Sequence, residues 1–173
     1  MSGKIWQKGG HKVAQEQTHP NSPHPPRAIY TSRVDDKGRL KLPRDFEAFL
    51  RTFPEQQFFV TTLDGEVIRI YPIAVWLENE EFFEAHQEDA EISEDVAFSV
   101  KVWGAEATLD KEGRILVPPE LRRKLNIENQ PVWVGFYKGA VEVYNEAVYN
   151  ERMQRAALGL KQKLAVLRQK GLK

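Results

Sequence analysis

The hydrophobic and polar positions of this chain follow one pattern twice. The stretch from Val34 to Pro43, VDDKGRLKLP, returns from Leu109 to Pro118 as LDKEGRILVP, with Asp, Gly, Arg and Pro in register. In both copies apolar residues follow three and seven positions after the proline, which is helical spacing. A repeat at a fixed offset describes an architecture, so each copy is predicted to form one structural unit.

Each copy continues into a predicted β-hairpin. Two apolar runs flank Asp64-Gly65 in the first copy and Lys138-Gly139 in the second. Asp-Gly is the stronger signal for a type I′ turn, because both central positions need positive φ and glycine accepts it without steric cost. A unit of strand, turn, strand, proline, short helix and hairpin is too small to be stable alone. The two copies are therefore predicted to share one core.

The turn sequence DDKGR at residues 35–39, followed by LKLP, resembles the swapped-hairpin DNA-binding element of AbrB-type transition-state regulators. Because Asp-x-x-x-Arg recurs in the second copy, the chain from Arg27 to about Glu151 resembles the MraZ family of bacterial transcriptional regulators. The resemblance implies a mainly β, α+β fold in which two AbrB-like βαβ-hairpin repeats form one pseudo-dimeric swapped-hairpin barrel, with helices after each repeat. It also implies a ring-like homo-oligomer that binds promoter direct repeats in double-stranded DNA.

The two turns contain the candidate bracing residues. Gly38 and Gly113 let the backbone reverse. Asp35 and Asp110 are expected to brace the turns, either by accepting backbone N–H bonds or by holding the side chain of the arginine that follows.

The same two turns contain the candidate DNA-binding residues. Arg39 and Arg114 either meet DNA as preorganised guanidinium groups or serve only as partners of the aspartates, and the family resemblance favours DNA contact. The second copy has an arginine pair where the first has RDFEA at residues 44–48, so the two copies are not expected to contribute equally. The other candidate DNA-binding residues are Arg33, Lys37, Lys41, Lys111, Arg122 and Arg123.

Formal net charge is zero, but the charges are segregated along the chain. Residues 76–95 contain nine acidic side chains and no Lys or Arg, whereas the residues after Glu151 contain seven Lys or Arg and no acid. Apolar residues at helical spacing among these cations predict a basic amphipathic helix. The acidic segment is expected to be solvated, or alternatively to meet the basic tail of a neighbouring subunit.

The predicted organisation has five segments. They are a disordered N-terminal extension (1–26), a first repeat (27–75), an acidic helical connection (76–102), a second repeat (103–150) and a basic amphipathic C-terminal helix (151–173). The chain has no long apolar run and no signal-like segment, so we expect a cytoplasmic, nucleoid-associated protein without a membrane partner.

Enzyme and metal chemistry are not expected. The absence of cysteine excludes disulfides and thiolate sites, and His11, His19 and His24 are widely spaced in a stretch without thiolate help. His86 stands alone in the acidic segment, and no serine lies in a nucleophile-elbow context. The prediction is a sequence-specific regulator without a cofactor, and the family implies repression of the division and cell-wall gene cluster that includes its own gene. The alternative is an antitoxin-like protein-interaction module that also binds DNA, whose tail helix wraps a protein partner.

Overall fold

The computed structural model describes residues 24–173. Within them lie eight strands: β1 (Tyr30–Arg33), β2 (Arg39–Lys41), β3 (Gln57–Thr61), β4 (Ile68–Pro72), β5 (Ala105–Thr108), β6 (Arg114–Leu116), β7 (Pro131–Tyr137) and β8 (Ala140–Tyr144). The same part of the chain has six α-helices: α1 (Arg44–Leu50), α2 (Ile73–Ala85), α3 (Ala90–Trp103), α4 (Pro119–Leu125), α5 (Glu146–Ala157) and α6 (Leu160–Gln169). A 3-10 helix, Gln87–Asp89, joins α2 to α3.

The chain is a mixed α+β structure. Its helices contain more residues than its strands, so it is less β-rich than the predicted fold class. The difference comes from α2, α3, α5 and α6, which follow the two duplicated units. Residues 1–23, with His11 and His19 and most of the predicted N-terminal extension, lie outside the described residues.

The strands form one six-stranded antiparallel sheet in the order β1-β7-β8-β4-β3-β5 and a separate two-stranded ribbon of β2 and β6. The first strand of each copy pairs with the hairpin of the other copy. Tyr30 in β1 lies opposite Val134 in β7, and Ala105 in β5 lies opposite Val60 in β3. Each copy therefore completes the sheet of its counterpart.

One hydrophobic cluster is built from both copies, as the small size of each unit predicts. Phe46 on α1 and Leu121 on α4, the first apolar positions after each proline, are fully buried. Pro43 and Pro118 immediately precede these helices, where a missing N–H leaves no intrahelical bond unmade.

An ion pair lies in the middle of the sheet, where β4 of the first copy pairs with β8 of the second. Arg69 lies opposite Glu142, and their side chains pair at 3.3 Å although Glu142 is almost fully buried. Burial and a hydrogen bond to Glu142 raise the pKa of the Tyr144 phenol. The seam between the copies thus contains a satisfied ion pair as well as apolar contacts.

The hairpin turns differ from the prediction. Lys138 and Gly139 both have positive φ (47° and 83°) and directly connect β7 to β8, which is the backbone conformation of a type I′ turn. At Asp64-Gly65 only the glycine has positive φ, so the predicted type I′ turn there is wrong. The Asp64 carboxylate instead accepts the N–H groups of Glu66 (2.9 Å) and Val67 (3.0 Å), which stabilises a wider loop.

Helices cover the outer face of the sheet. Trp76 on α2 packs against Phe59 on β3, with 4.4 Å between the ring centroids. Tyr149 on α5 stacks on Trp133 on β7, with 4.8 Å between the ring centroids. The basic tail forms two helices instead of the predicted one, because Gly159 adopts the left-handed conformation (φ 63°) and interrupts the chain between them. Among the described helices, none has the length and apolar character needed to cross a membrane.

Two leucines of the β2–β6 ribbon allow a test of how far the stability of the core depends on the pairing of the two copies. Leu40 is fully buried and Leu116, on the paired strand, is 52% exposed. We expect Leu40→Ala to lower the free energy of unfolding by about 2–5 kcal/mol, because it leaves a cavity in the shared core. Leu116→Ala, the matched control, should change it by less than about 0.5 kcal/mol. Urea denaturation followed by circular dichroism measures both, and equal losses would contradict the described core.

Candidate nucleic-acid interface

The first turn is fastened by the side chain of Asp35. One carboxylate oxygen accepts the backbone N–H of Lys37 at 3.0 Å and that of Arg39 at 2.9 Å. The other oxygen accepts Nε of Arg39 at 2.8 Å and pairs with Nη2 of the same guanidinium, also at 2.8 Å. Gly38 has a φ of 80° and donates its N–H to the backbone carbonyl of Asp35. One carboxylate therefore shapes the loop and orients the arginine.

The second turn repeats this arrangement. Asp110 accepts the backbone N–H groups of Glu112 and Arg114 at 2.9 Å, and its other oxygen accepts Nε of Arg114 at 2.7 Å. Glu112 adds a second acid, 3.1 Å from Nη2 of Arg114. The sequence left two roles open for the aspartates, and in both turns the structure shows the two roles together. The Asp–Arg ion pairs that the sequence analysis considered are present in both copies.

Pairing of β2 with β6 brings the two turns side by side. Leu40 lies opposite Ile115 in this ribbon. Backbone hydrogen bonding between the two copies continues beyond the strands. Leu42 donates its N–H to the Gly113 carbonyl and Val117 donates its N–H to the Gly38 carbonyl, each at 3.0 Å. Four duplicated side chains, Asp35, Arg39, Asp110 and Arg114, therefore belong to one surface, which we call the turn pair.

Each turn glycine lies under the short helix of the other copy. A Cβ atom at Gly38 would overlap the guanidinium of Arg122 on α4, and a Cβ at Gly113 would overlap the carboxylate of Glu47 on α1. Positive φ is what favours glycine at both positions, and the ends of two flexible side chains lie close against the glycine backbone. Glu47 and Arg122 occupy equivalent positions in the duplicated sequence, so opposite charges lie against the two turns.

Glu47 is the centre of a network that the sequence analysis missed. Its carboxylate lies 3.4 Å from Nζ of Lys41 and 2.8 Å from Nη2 of Arg51, which also donates to the Asp110 carbonyl at 2.8 Å. Arg51 was not among the candidate residues, because its equivalent in the second copy is Asn126. The i,i+4 spacing of Glu47 and Arg51 was the available signal.

The other candidate cations differ in exposure. Lys37 and Lys111 are exposed at the tips of the two turns. The Arg122 side chain is only 13% exposed, since it donates to the Val117 carbonyl at 2.6 Å and pairs with Glu128. Its position suits it to support the turn of the first copy more than to contact a ligand directly.

The remaining candidates lie at the edges of this surface. Lys41 is exposed and also donates to the Glu112 carbonyl of the other turn. Arg33 donates to the Asn129 carbonyl at 2.9 Å and is held to the loop before β7, and Arg123 pairs with Glu120 on α4. Within residues 24–173, no three His, Asp or Glu side chains are grouped so as to hold a metal ion.

Hydrogen bonding keeps the two turn aspartates ionised. The backbone N–H of Arg39, followed by its guanidinium, lowers the pKa of Asp35 below its usual value. Burial alone would raise the pKa of Asp110, but hydrogen bonds from the backbone and side chain of Arg114 outweigh it, and the net shift is downward. The Asp110 carboxylate, together with the charges of Glu112 and Asp35, raises the pKa of Arg114. Each turn therefore contains a fixed Asp–Arg ion pair at neutral pH.

The depressed pKa values fix the pH dependence of the turns. The ionised carboxylate stabilises the fold at any pH above the ordinary aspartate pKa of 3.8, and this contribution is lost as the pH falls through the lower folded-state value. Asp35→Asn should therefore destabilise the protein at neutral pH, and the difference from the unchanged protein should shrink on acidification. Urea unfolding between about pH 3 and pH 7 measures this difference.

Asp36→Asn is the matched control, because Asp36 is exposed in the same turn and accepts none of the turn's hydrogen bonds. This variant should leave the pH dependence of the free energy of unfolding unchanged. A constant difference between Asp35→Asn and the unchanged protein at every pH would show that the carboxylate charge does not stabilise the turn.

Comparison with known proteins gives the family. A family model described as "MraZ protein, putative antitoxin-like" matches residues 104–169. The chain is similar to the transcriptional regulator MraZ of Acidobacterium capsulatum, with 31% identity over 128 residues, which is 74% of this chain and 87% of that protein. Proteins of the same name from Koribacter versatilis (30% identity; 72% of this chain and 86% of that protein) and Geobacter sp. strain M21 (32%; 71% and 84%) are also similar. With this identity over most of both sequences, the chain belongs to the MraZ family.

Proposed function

We propose that this protein is a sequence-specific transcriptional regulator that binds double-stranded DNA through the turn pair. The observation that carries the proposal is the adjacency of two duplicated turns, each holding an arginine in place with an aspartate. The relatives described above are transcriptional regulators by name, which supports the same function. On the family resemblance, the protein represses the division and cell-wall gene cluster that includes its own gene.

The fold that goes with this function is the AbrB-like swapped-hairpin barrel. The exchange of β1 and β5 between copies and the β2–β6 ribbon support it, since each copy lends its first hairpin to the other. The proposed boundaries are 27–75 and 103–150 for the repeats, 76–102 for the acidic connection and 151–173 for the basic tail.

Arg39 and Arg114 supply base discrimination in this proposal. The aspartates engage Nε and Nη2, whereas Nη1 of Arg39 makes no hydrogen bond within the described residues and is available to a ligand. A guanidinium fixed by a carboxylate loses less conformational freedom on binding, which favours recognition of the O6 and N7 edge of guanine. Lys37 and Lys111, exposed at the tips, contribute phosphate contacts that position the protein.

One turn pair covers only a short DNA element. A ring of several copies, each contacting one of a series of direct repeats, gains effective concentration from its linked sites and binds tightly through modest individual contacts. The side chains of the turn pair require no cofactor for this role. A protein with this function is located in the cytoplasm, in association with the nucleoid.

An antitoxin-like interaction module is the second candidate, because the matching family model has "antitoxin-like" in its description. In that function the basic tail binds a small protein partner, and DNA binding is secondary. Copurification of a small partner with the tail intact, and its loss after deletion of residues 152–173, would favour this candidate.

Fluorescence anisotropy tests DNA recognition by the turn pair. Labelled DNA from upstream of the protein's own gene is compared with scrambled DNA over a series of salt concentrations. Arg39→Ala should weaken specific binding by about 1–3 kcal/mol and bring the two DNAs closer in affinity, because a base contact is lost. Lys37→Ala with Lys111→Ala should weaken both DNAs alike and reduce the salt slope by about two.

Lys101→Ala on α3 is the control for the loss of an exposed cation on an element outside the two turns. Thermal unfolding of each variant separates a structural clamp from a DNA contact. If folded Arg39→Ala binds normally, Arg39 serves only as the partner of Asp35. Equal binding of both DNAs by the unchanged protein indicates a nonspecific binder, and no binding at low salt favours the interaction module.

A further inference from the structure

The last helix, α6, has an apolar stripe that nothing in the described chain covers well. Leu160, Leu164 and Leu167 follow one another at intervals of four and three and therefore lie on one face. Leu160 is 49% exposed and Leu167 is 50% exposed. Lys163 is four residues before Leu167 and Arg168 is four after Leu164, so two cations flank the stripe.

The outer face of α3 has the complementary composition. Glu91, Asp95, Phe98 and Val102 are spaced by four, three and four residues and lie along one face of this helix. Phe98 is 71% exposed and Val102 is 53% exposed, whereas Val100 on the opposite face is buried against the sheet layer. The two apolar side chains lie one helical turn apart and are continued along the same face by two acids, and an apolar patch beside polar residues is the composition of a contact surface.

Neither charged set is neutralised within the described chain. None of the seven cations after Glu151 and none of the nine acids between residues 76 and 95 takes part in an ion pair among residues 24–173. Arg152 lies over the Tyr144 ring at 5.8 Å, and Lys163 donates to the Arg155 carbonyl. Each helix therefore retains its charge for a partner.

The two faces belong to opposite halves of the sheet. Helix α3 packs with α2 over β3 and β4, whereas α5, which leads into α6, packs over β7. An interface that joins two different surfaces is heterologous, so each copy offers one surface to a neighbour on either side. Such contacts generate a ring when the rotation between neighbouring copies closes.

We infer that α6 of one copy docks onto the outer face of α3 in a second copy. The leucine stripe covers Phe98 and Val102, while Lys163 and Arg168 meet Glu91 and Asp95. The inference deepens the proposed ring and rests on it, and it assigns the surfaces that build the ring.

A second copy fits both faces better than other partners of the tail. DNA would neutralise the cations of α6 but leave the leucine stripe exposed to water. An anionic lipid surface would cover both the stripe and the cations but leave Phe98 and the acids of α3 without a partner. A contact between copies covers both faces at once and pairs opposite charges.

Charge reversal tests the interface through the mass of the assembly. Sedimentation velocity and light scattering should give a multiple of the 20.0 kDa chain for the unchanged protein. Lys163→Glu with Arg168→Glu should weaken self-association by roughly tenfold or more, and Glu91→Lys with Asp95→Lys should do the same, because like charges then face each other. Circular dichroism verifies that both variants stay folded.

Restoration of the assembly is the decisive measurement. An equimolar mixture of the two double variants should assemble, because each acidic tail then meets a basic α3 face and each basic tail meets an acidic one. The quadruple variant should assemble on its own for the same reason. Normal assembly of either double variant, failure of both restorations, or a monomeric unchanged protein would overturn the inference.

Two further arms separate this interface from other functions. Lys37→Glu with Lys111→Glu makes the same change in net charge on the turn pair, and should abolish DNA binding while leaving the assembly intact. Loss of assembly in that variant would show that net charge alone controls association and would overturn the interface. Cosedimentation of the unchanged protein with phosphatidylglycerol vesicles, abolished by Lys163→Glu with Arg168→Glu, would assign the tail to a membrane surface instead. If the unchanged protein fails to bind DNA but charge restoration succeeds, the proposed function fails and the interface stands.

Discussion

The pairing of β2 with β6 is the interaction on which the rest of the structure depends. It is only three residues long in each strand, yet it holds the two duplicated turns against each other and buries Leu40 and Ile115 between the copies. Because β1 and β5 are also exchanged, neither copy can withdraw from the ribbon without exposing its own apolar face. The same pairing of the two copies therefore determines both the stability of the core and the geometry of the turn pair.

The turns show how a short polar motif is made rigid without regular secondary structure. A single carboxylate satisfies two backbone donors and one guanidinium, and a charged side chain from the helix of the other copy lies close against the glycine backbone. The arginine is consequently oriented by contacts within its own copy, while the backbone that presents it is supported from the other copy. Each turn is therefore fully supported only when both copies are present.

The sequence was sufficient to predict the duplicated units, their short helices and the shared core, because these follow from local periodicity and from the small size of each unit. It ranked the two hairpin turns in the wrong order, because the outcome depends on whether the Asp64 carboxylate accepts hydrogen bonds from its own loop, which a residue preference does not show. The role of Arg51 was also inaccessible, because its contacts with Glu47 and the Asp110 carbonyl join segments that are distant in sequence. The repeated motif predicts what the copies share, whereas the network around Glu47 depends on positions at which the copies differ.

The opposite charges of Glu47 and Arg122 have a consequence for symmetry. The backbone of the turn pair is nearly twofold, but one turn lies under a carboxylate and the other under a guanidinium. A surface built from two unequal halves has a polarity. Under the proposed function, a DNA element matched to this surface has no need to be palindromic, and successive copies of the protein would lie along such DNA in the same orientation.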